Sequence, residues 1–350
     1  MFQNQSGANL VNGIASTLIL NTNFAGQLYG DYAIFEIDEN ALPQILKEIT
    51  PDYLLLLNLF RDQLDRYGEV DAIARKWNES LSNLTKKTKL ILNADDPQIA
   101  SIGKKNKEII YFGLNLNSTE NKETRLEHAA DSIYCPACGS KLNYSSIYYS
   151  HLGKWYCQKC GLKRPEENLF SRFSFYPLKG TYNIYNTLAA VLVLKQIGLG
   201  DSNIVTGLKK FKPAFGRQEK IIYNNKQIQI FLSKNPTGFN ESLRTIKQLG
   251  AKTVLLVLND NIADGRDISW IWDIDFGQFD KLLVAGERAY DMGLRIKYQN
   301  QNLNFKVYES LKLAIEEGVK NIKSDETLYI LPTYTAMLAV RKILTGRSIL

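Results

Sequence analysis

Tyr53-Leu54-Leu55-Leu56-Leu57-Asn58, a helical pattern over 70–84, and Leu90-Ile91-Leu92-Asn93 set the reading of this chain. The two apolar runs are too short for helices and do not alternate with polar residues. Each therefore reads as a strand covered on both faces. The stretch between them repeats at helical spacing, so strand, helix and strand form a parallel crossover unit. The alternation continues outward. Residues 32–37 read as a strand, 41–49 as a helix, 97–104 as a short helix and 109–112 as a further strand. Helices are expected at 183–197 and 202–211.

The character changes near Phe215-Gly216-Arg217-Gln218-Glu219, where a hairpin begins. Its strands are 220–223 and 227–231, joined by a turn at Asn224-Asn225. A second β/α series follows, with strands at 253–258, 281–285, 305–308 and 328–331. The expected organisation is α/β throughout. Residues 1–218 form one mostly parallel domain, and 219–350 form a smaller Rossmann-like domain. In such sheets ligands sit beyond the carboxyl ends of the strands, so the polar residues found there are the candidates for chemistry.

Composition narrows that chemistry. The chain has 350 residues, enough to bury large cores without disulfide staples. No apolar run approaches the length of a membrane span, and residues 1–5 have no signal-peptide pattern, so the cytoplasm is the expected compartment. The net charge of +7 is modest, and its basic residues are dispersed. A nucleic-acid partner is therefore not expected. The four cysteines and two histidines all lie between His128 and Cys160. Outside that window the chain cannot assemble a Ser-His-Asp or Cys-His site, nor a His-ligated catalytic metal.

Inside the window the cysteines read Cys135-Pro-Ala-Cys138 and Cys157-Gln-Lys-Cys160, each pair followed by Gly. Two such knuckles supply four thiolates in a tetrahedron, the closed geometry of structural zinc. Two disulfides are disfavoured in the cytoplasm, and a redox CxxC does not need a second pair. Residues 141–156 should form a short hairpin between the knuckles. The ribbon reads as an insertion at about 127–168, with His128 and His151 as bystanders.

Several strand-end groups then fall into a recognisable order: Glu36-Ile-Asp-Glu39, Asn58-Leu-Phe-Arg61-Asp62-Gln63-Leu-Asp65, Asn93-Ala-Asp95-Asp96, Gly180-Thr-Tyr-Asn183-Ile-Tyr-Asn186 and Gly216-Arg217-Gln-Glu219. Together they resemble the central domain of the Mur ligases, ATP-dependent peptide ligases of peptidoglycan synthesis. The run Asn259-Asp260-Asn261-Ile-Ala263-Asp264-Gly265-Arg266-Asp267-Ile-Ser269-Trp270, with the inserted ribbon, resembles the MurT-type branch of that family.

The resemblance implies ATP-driven activation of the D-glutamate α-carboxylate of the lipid II stem peptide. Ammonia from a GatD-type glutaminase subunit would then give D-isoglutamine. It implies that Asp267 completes the partner's Cys-His pair and that Glu36 holds Mg²⁺. Asn183 and Asn186 match positions near the nucleotide base, and Arg217 matches an arginine that reaches the nucleotide. Taken alone, each of these residues reads as a cap or a surface partner, with Asp267 paired to Arg266 or capping the turn before Trp270. Gln63 stands where Mur ligases often carry His. The family's glycine-rich P-loop lies upstream of the segment matching Ser6-Gly7-Ala8-Asn9, just before which Met1 falls. Gly250-Ala-Lys-Thr253 and Gly103-Lys104 lack the P-loop spacing. The expectation is either a truncated sequence of a working ligase or a shortened subunit that only docks the glutaminase.

Overall fold

The computed structural model describes residues 1–5, 7–61, 70–84, 88–103, 108–115, 126, 130–169, 173–214, 216–277 and 279–347. Ser6, Lys104, His128, Phe215 and the run 62–69, with Asp62, Gln63 and Asp65, lie outside them. In chain order come β1 (Phe2–Gln3), α1 (Val11–Leu20), β2 (Ala33–Ile34), α2 (Leu42–Glu48), β3 (Tyr53–Leu56), α3 (Val70–Ser82), β4 (Lys89–Asn93), α4 (Pro97–Ser101) and β5 (Ile109–Phe112). The ribbon strands are β6 (Asn143–Tyr149) and β7 (Leu152–Tyr156). Then follow α5 (Thr181–Gln196), α6 (Asp201–Lys209), β8 (Arg217–Tyr223), β9 (Lys226–Phe231), α7 (Pro236–Gln248) and β10 (Thr253–Val257). A 3₁₀ turn (Ser269–Asp273), β11 (Lys281–Ala285), α8 (Ala289–Gln299), β12 (Phe305–Val307), α9 (Leu311–Asn321), β13 (Thr327–Pro332) and α10 (Tyr334–Thr345) complete the order.

β3, β4 and β5 form a parallel sheet with β4 in the middle. Leu90, Ile91 and Leu92 of β4 are all fully buried, because both faces of the strand are covered. Leu90 and Leu92 pack with Ile73, Trp77 and Leu81 of α3. Ile91 faces the other way, toward Tyr185, Leu188 and Leu192 of α5. β1 and β2 pair in parallel as a separate short ladder. The strand expected over 32–37 is thus confined to Ala33–Ile34, because its partner β1 offers only Phe2 and Gln3. The helix expected over 97–104 ends at Ser101, where Gly103 turns to φ +71° and donates its N–H to Asn78 Oδ1. Helix α1 had no counterpart in the sequence reading.

The second sheet has the order β12-β11-β10-β13-β9-β8, parallel except for the β8–β9 hairpin at its edge. Its central strand β10 is again buried throughout. Val254 and Leu256 meet Phe239 and Met292 on one face, and Leu255 and Val257 meet Ile315 and Met337 on the other. The chain runs from β10 to β11 and β12 on one side, then returns to β13 on the other. The strand order reverses between β10 and β13, and that is where an open α/β sheet opens its crevice.

Candidate functional site

The two knuckles are built alike. In the first, Cys135 N–H donates to Ser140 O and Gly139 N–H to Cys135 O, both at 2.8 Å. In the second, Cys157 N–H donates to Leu162 O at 2.7 Å and Gly161 N–H to Cys157 O at 3.0 Å. Gly139 and Gly161 sit at φ +69° and +75°, a conformation that admits glycine at no cost. All four sulfurs lie within 4.8 Å of one another. Cys135 and Cys160 are 3.6 Å apart, and Cys138 and Cys157 are 3.5 Å apart. A tetrahedron of sulfurs around zinc with bonds of about 2.3 Å has edges of about 3.8 Å, so the cluster has the right size for that ion. Hydrogen bonds from Ser140 bring Cys138 down to about 6. Although Leu162 N–H favours the Cys160 thiolate, desolvation and the neighbouring sulfurs push that thiol up to about 12. Four facing sulfurs cannot all ionise without a cation among them.

The other end of the ribbon is driven into the protein. Ser150, His151 and Leu152, at the hairpin turn, are all fully buried. Tyr149 stacks on Phe60 and meets Tyr185 edge-on. His151, read as a bystander, is no part of the sulfur cluster and belongs to this plug. Its Nδ1 accepts Asp131 N–H at 3.3 Å, and its Nε2 stands 3.5 Å from Asp96 Oδ2.

The plug meets the strand end of β4, where both carboxylates are fully buried. Asp96 caps α4 through Gln98 N–H and Ile99 N–H and also accepts Leu59 N–H at 2.8 Å. Asp95 accepts from Tyr185 Oη and Leu114 N–H, both at 2.7 Å, and pairs with Arg164 at 2.5 Å. Burial raises the Asp95 carboxyl above its usual range, against the lowering pull of Arg164. Burial likewise raises Asp131, against His151 and Arg61. Asp131, Arg164 and Tyr185 were not singled out from sequence. The first two flank the ribbon closely, and charged residues at the edges of an insertion are the signal that was available.

Asn183 and Asn186 meet at the start of α5, and Arg217 begins β8, whose next residue Gln218 bonds to Tyr182. Asn183 is buried, donates to Lys179 O at 2.6 Å and accepts from Asn186 at 3.4 Å. Neighbouring Tyr182 accepts from Gln218 Nε2 at 2.9 Å, beside the exposed Arg217. Glu36 is exposed just beyond β2. Its backbone is clamped twice by Asn4, through N–H to Oδ1 at 2.9 Å and O from Nδ2 at 2.8 Å.

Asp267 lies in the loop after β10, exposed on the rim of a depression of about 320 Å³ with Trp272, Arg288 and Leu294. Its Oδ1 accepts Ser269 N–H at 2.8 Å, so the side chain caps the 3₁₀ turn and holds a fixed direction. The loop is anchored below by Asp264, which accepts Thr335 N–H at 2.7 Å across the β10–β13 crevice.

Comparison with known proteins matches both halves of this architecture. The family described as Mur ligase middle domain matches residues 12–194, and that described as MurT ligase C-terminal matches 232–337. The chain is 37% identical over 318 residues to the MurT subunit of lipid II isoglutaminyl synthase (glutamine-hydrolyzing) of Staphylococcus aureus strain COL, covering 85% of this chain and 70% of that one. To the subunit of the same name from Streptococcus pneumoniae R6 it is 34% identical over 371 residues, covering 99% and 81%. Among solved structures it is similar to a pseudomurein peptide ligase type C from Methanothermus fervidus. There the TM-score is 0.69 at 23% identity, over 92% of this chain and 69% of that one, a likeness of fold.

Proposed function

The chain belongs to the Mur ligase family and within it to MurT, and on that premise we propose that it is the ligase subunit of a glutamine-dependent amidating enzyme of peptidoglycan synthesis. The substrate is the D-glutamate α-carboxylate of the lipid II stem peptide. A carboxylate oxygen attacks the γ-phosphorus of ATP, and the bond to ADP breaks. Ammonia then attacks the acyl carbon, phosphate leaves with the C–O electrons, and the nitrogen sheds a proton to give the amide. The observation that carries this reading is kinship to MurT subunits across both the middle and the C-terminal domains.

The residues support a division of labour. With four sulfurs committed to one cluster, no thiol is left for glutamine hydrolysis. That step falls to a GatD-type glutaminase. Asp267, outward-facing and fixed by Ser269, suits the orienting of a partner's imidazole. Cys135, Cys138, Cys157 and Cys160 would hold zinc as a structural ion with no open position. Glu36 would hold Mg²⁺ beside the nucleotide phosphates, Arg217 would contact the nucleotide, and Asn183 and Asn186 would lie against its base. Residues 1–218 and 219–350 would be the two domains. No described helix is long and apolar enough to cross a membrane. On the amidation reading the enzyme would meet its lipid-linked substrate from the cytoplasm, at the membrane's inner face.

The test supplies the nitrogen in two ways. With the glutaminase, ATP and lipid II, glutamine should support amidation, and Asp267→Asn should reduce it by about 10²-fold or more. With ammonium in place of glutamine, the same variant should amidate at the parent rate. Phosphate release that ignores lipid II would overturn the ligase reading. Equal losses with both nitrogen sources would remove Asp267 from the glutaminase step.

A further inference from the structure

We propose that Arg61 is a positioning residue, a clip that ties the loop after β3 to Asp273 and so sets how the C-terminal domain meets the strand ends of the middle domain. Arg61 Nη2 donates to Asp273 Oδ2 at 2.5 Å, across 212 positions of sequence. Its Nε lies 3.3 Å from Asp131 Oδ1, and its backbone N–H donates to Asp131 Oδ2 at 3.0 Å. The three side chains are shielded, at 27% exposure for Arg61, 5% for Asp131 and 14% for Asp273. A planar guanidinium can face two carboxylates in different directions, which a lysine ammonium cannot do with fixed geometry.

Both jaws are held by further contacts. On the ribbon side a closed chain of contacts runs from Leu59 N–H to Asp96, to His151, to Asp131 and back to Arg61. His151 is fully buried within it, and its ring lies 4.7 Å from that of Phe60. On the other side Asp273 ends the 3₁₀ turn, and its carbonyl accepts Asn240 Nδ2 at 3.0 Å. Asn240 Oδ1 accepts Asp275 N–H at 2.9 Å, so helix α7 holds the segment on both sides of Ile274. Asp273 also lines a cleft of about 530 Å³ with Asn240, Arg244 and Arg295. The clip therefore grips the wall of that cleft. A second tie between the halves lies at the chain crossing, where Gln218 Nε2 donates to Lys179 O at 2.7 Å and to Tyr182 Oη at 2.9 Å. Helix α5 also packs against α7 along this joint, and the clip adds a directional charged contact to it.

The inference stands apart from the amidation reading, because its readout needs no substrate. Spin labels on non-natural residues at the exposed positions Glu79 in α3 and Lys320 in α9 leave the cysteines untouched. Pulsed electron resonance on the whole chain then gives the distribution of distances between the domains. Arg61→Met and Asp273→Ala should each raise the population outside the parent peak about fivefold, the shift that loss of a partly shielded ion pair supports. The double variant should broaden no further than the larger single effect, and Arg61→Lys should fall between parent and Arg61→Met. An Asp273→Ala distribution equal to the parent's overturns the clip, as does a double variant whose broadening is the sum of the two. If Arg61→Met fails to fold, Asp273→Ala and Arg61→Lys decide alone.

Discussion

The two ends of the ribbon are held by opposite means. At the cysteine end Tyr134 and Tyr156 are about half exposed and Cys160 is exposed, and packing is confined to a small cluster around the buried Cys135 and Cys157. Its order rests on two turns, four sulfurs and that small cluster. At the turn end Ser150, His151 and Leu152 have no exposure, and Gly153 N–H donates to Asp95 O at 3.1 Å. Its order comes from the domain it enters. Trp155 couples the two, as does Tyr144, which packs against the cysteine-end cluster and donates its hydroxyl to His151 O at 3.0 Å. Trp155 packs with Cys135, Cys157, Leu142 and Ala100, and its indole N–H donates to Ala94 O at 3.0 Å. The same strand β7 thus carries one residue of the plug, one of the coupling and one of the exposed rim.

Metal removal should produce the largest effect and separate the ends most cleanly. Structural zinc sites of this kind bind with an apparent free energy of roughly 10 kcal/mol or more. Chelation, or Cys157→Ser, should strip hydrogen-exchange protection from the amides of Cys135 and Cys157. The Gly153 amide, anchored on Asp95, should keep most of its protection. Equal loss at all three amides would make the ribbon one cooperative unit and erase the contrast. Trp155→Ala comes next. It should cost about 3–5 kcal/mol in denaturant unfolding, from the cavity and the unpaired Ala94 carbonyl. It should loosen both ends in exchange, because it sits between them. A variant that loosened only the cysteine end would show that the plug needs no help from β7 beyond Gly153.

Much of this was legible in the sequence where one physical constraint acts alone. β4 and β10 were readable because a strand buried on both faces must be apolar throughout, and Leu90-Ile91-Leu92 and Val254 to Val257 are. The knuckles were readable because CxxC-Gly fixes its own turn. The plug was not, since Ser150-His151-Leu152 carries no periodicity and its burial depends on Asp96 and Asp131, which lie 55 and 20 positions from His151. Helix α1 escaped notice because Val11 to Leu20 has weak polar contrast, leaving Ile19 and Leu20 exposed. The sequence also offers no sign that Arg61 and Asp273 meet, because that contact depends on how two sheets are docked. The local role of Asp267 as a turn cap was within reach of sequence, since an Asp two residues before a Ser N–H commonly makes that bond.

The smallest effect tests the exposed end. Tyr156 is the last residue of β7, 44% exposed, paired with Asn143 in the ladder and bridged to Lys163 beyond it. Those contacts are made by backbone, so Tyr156→Ser leaves them intact. What it removes is a partly hydrated ring and some preference for extended backbone. The expected cost is within about 0.5 kcal/mol in denaturant unfolding, with the metal retained. One position earlier on the same strand, the Trp155 substitution should cost several times more. That ratio is the sharpest form of the contrast, because the two residues are neighbours on one strand and differ in burial and in the Trp155 hydrogen bond to Ala94 O. A Tyr156→Ser loss that approached the Trp155→Ala loss would mean that the cysteine end draws its order from the tyrosine rim as well as from the sulfurs, and the two ends would then differ in degree rather than in kind.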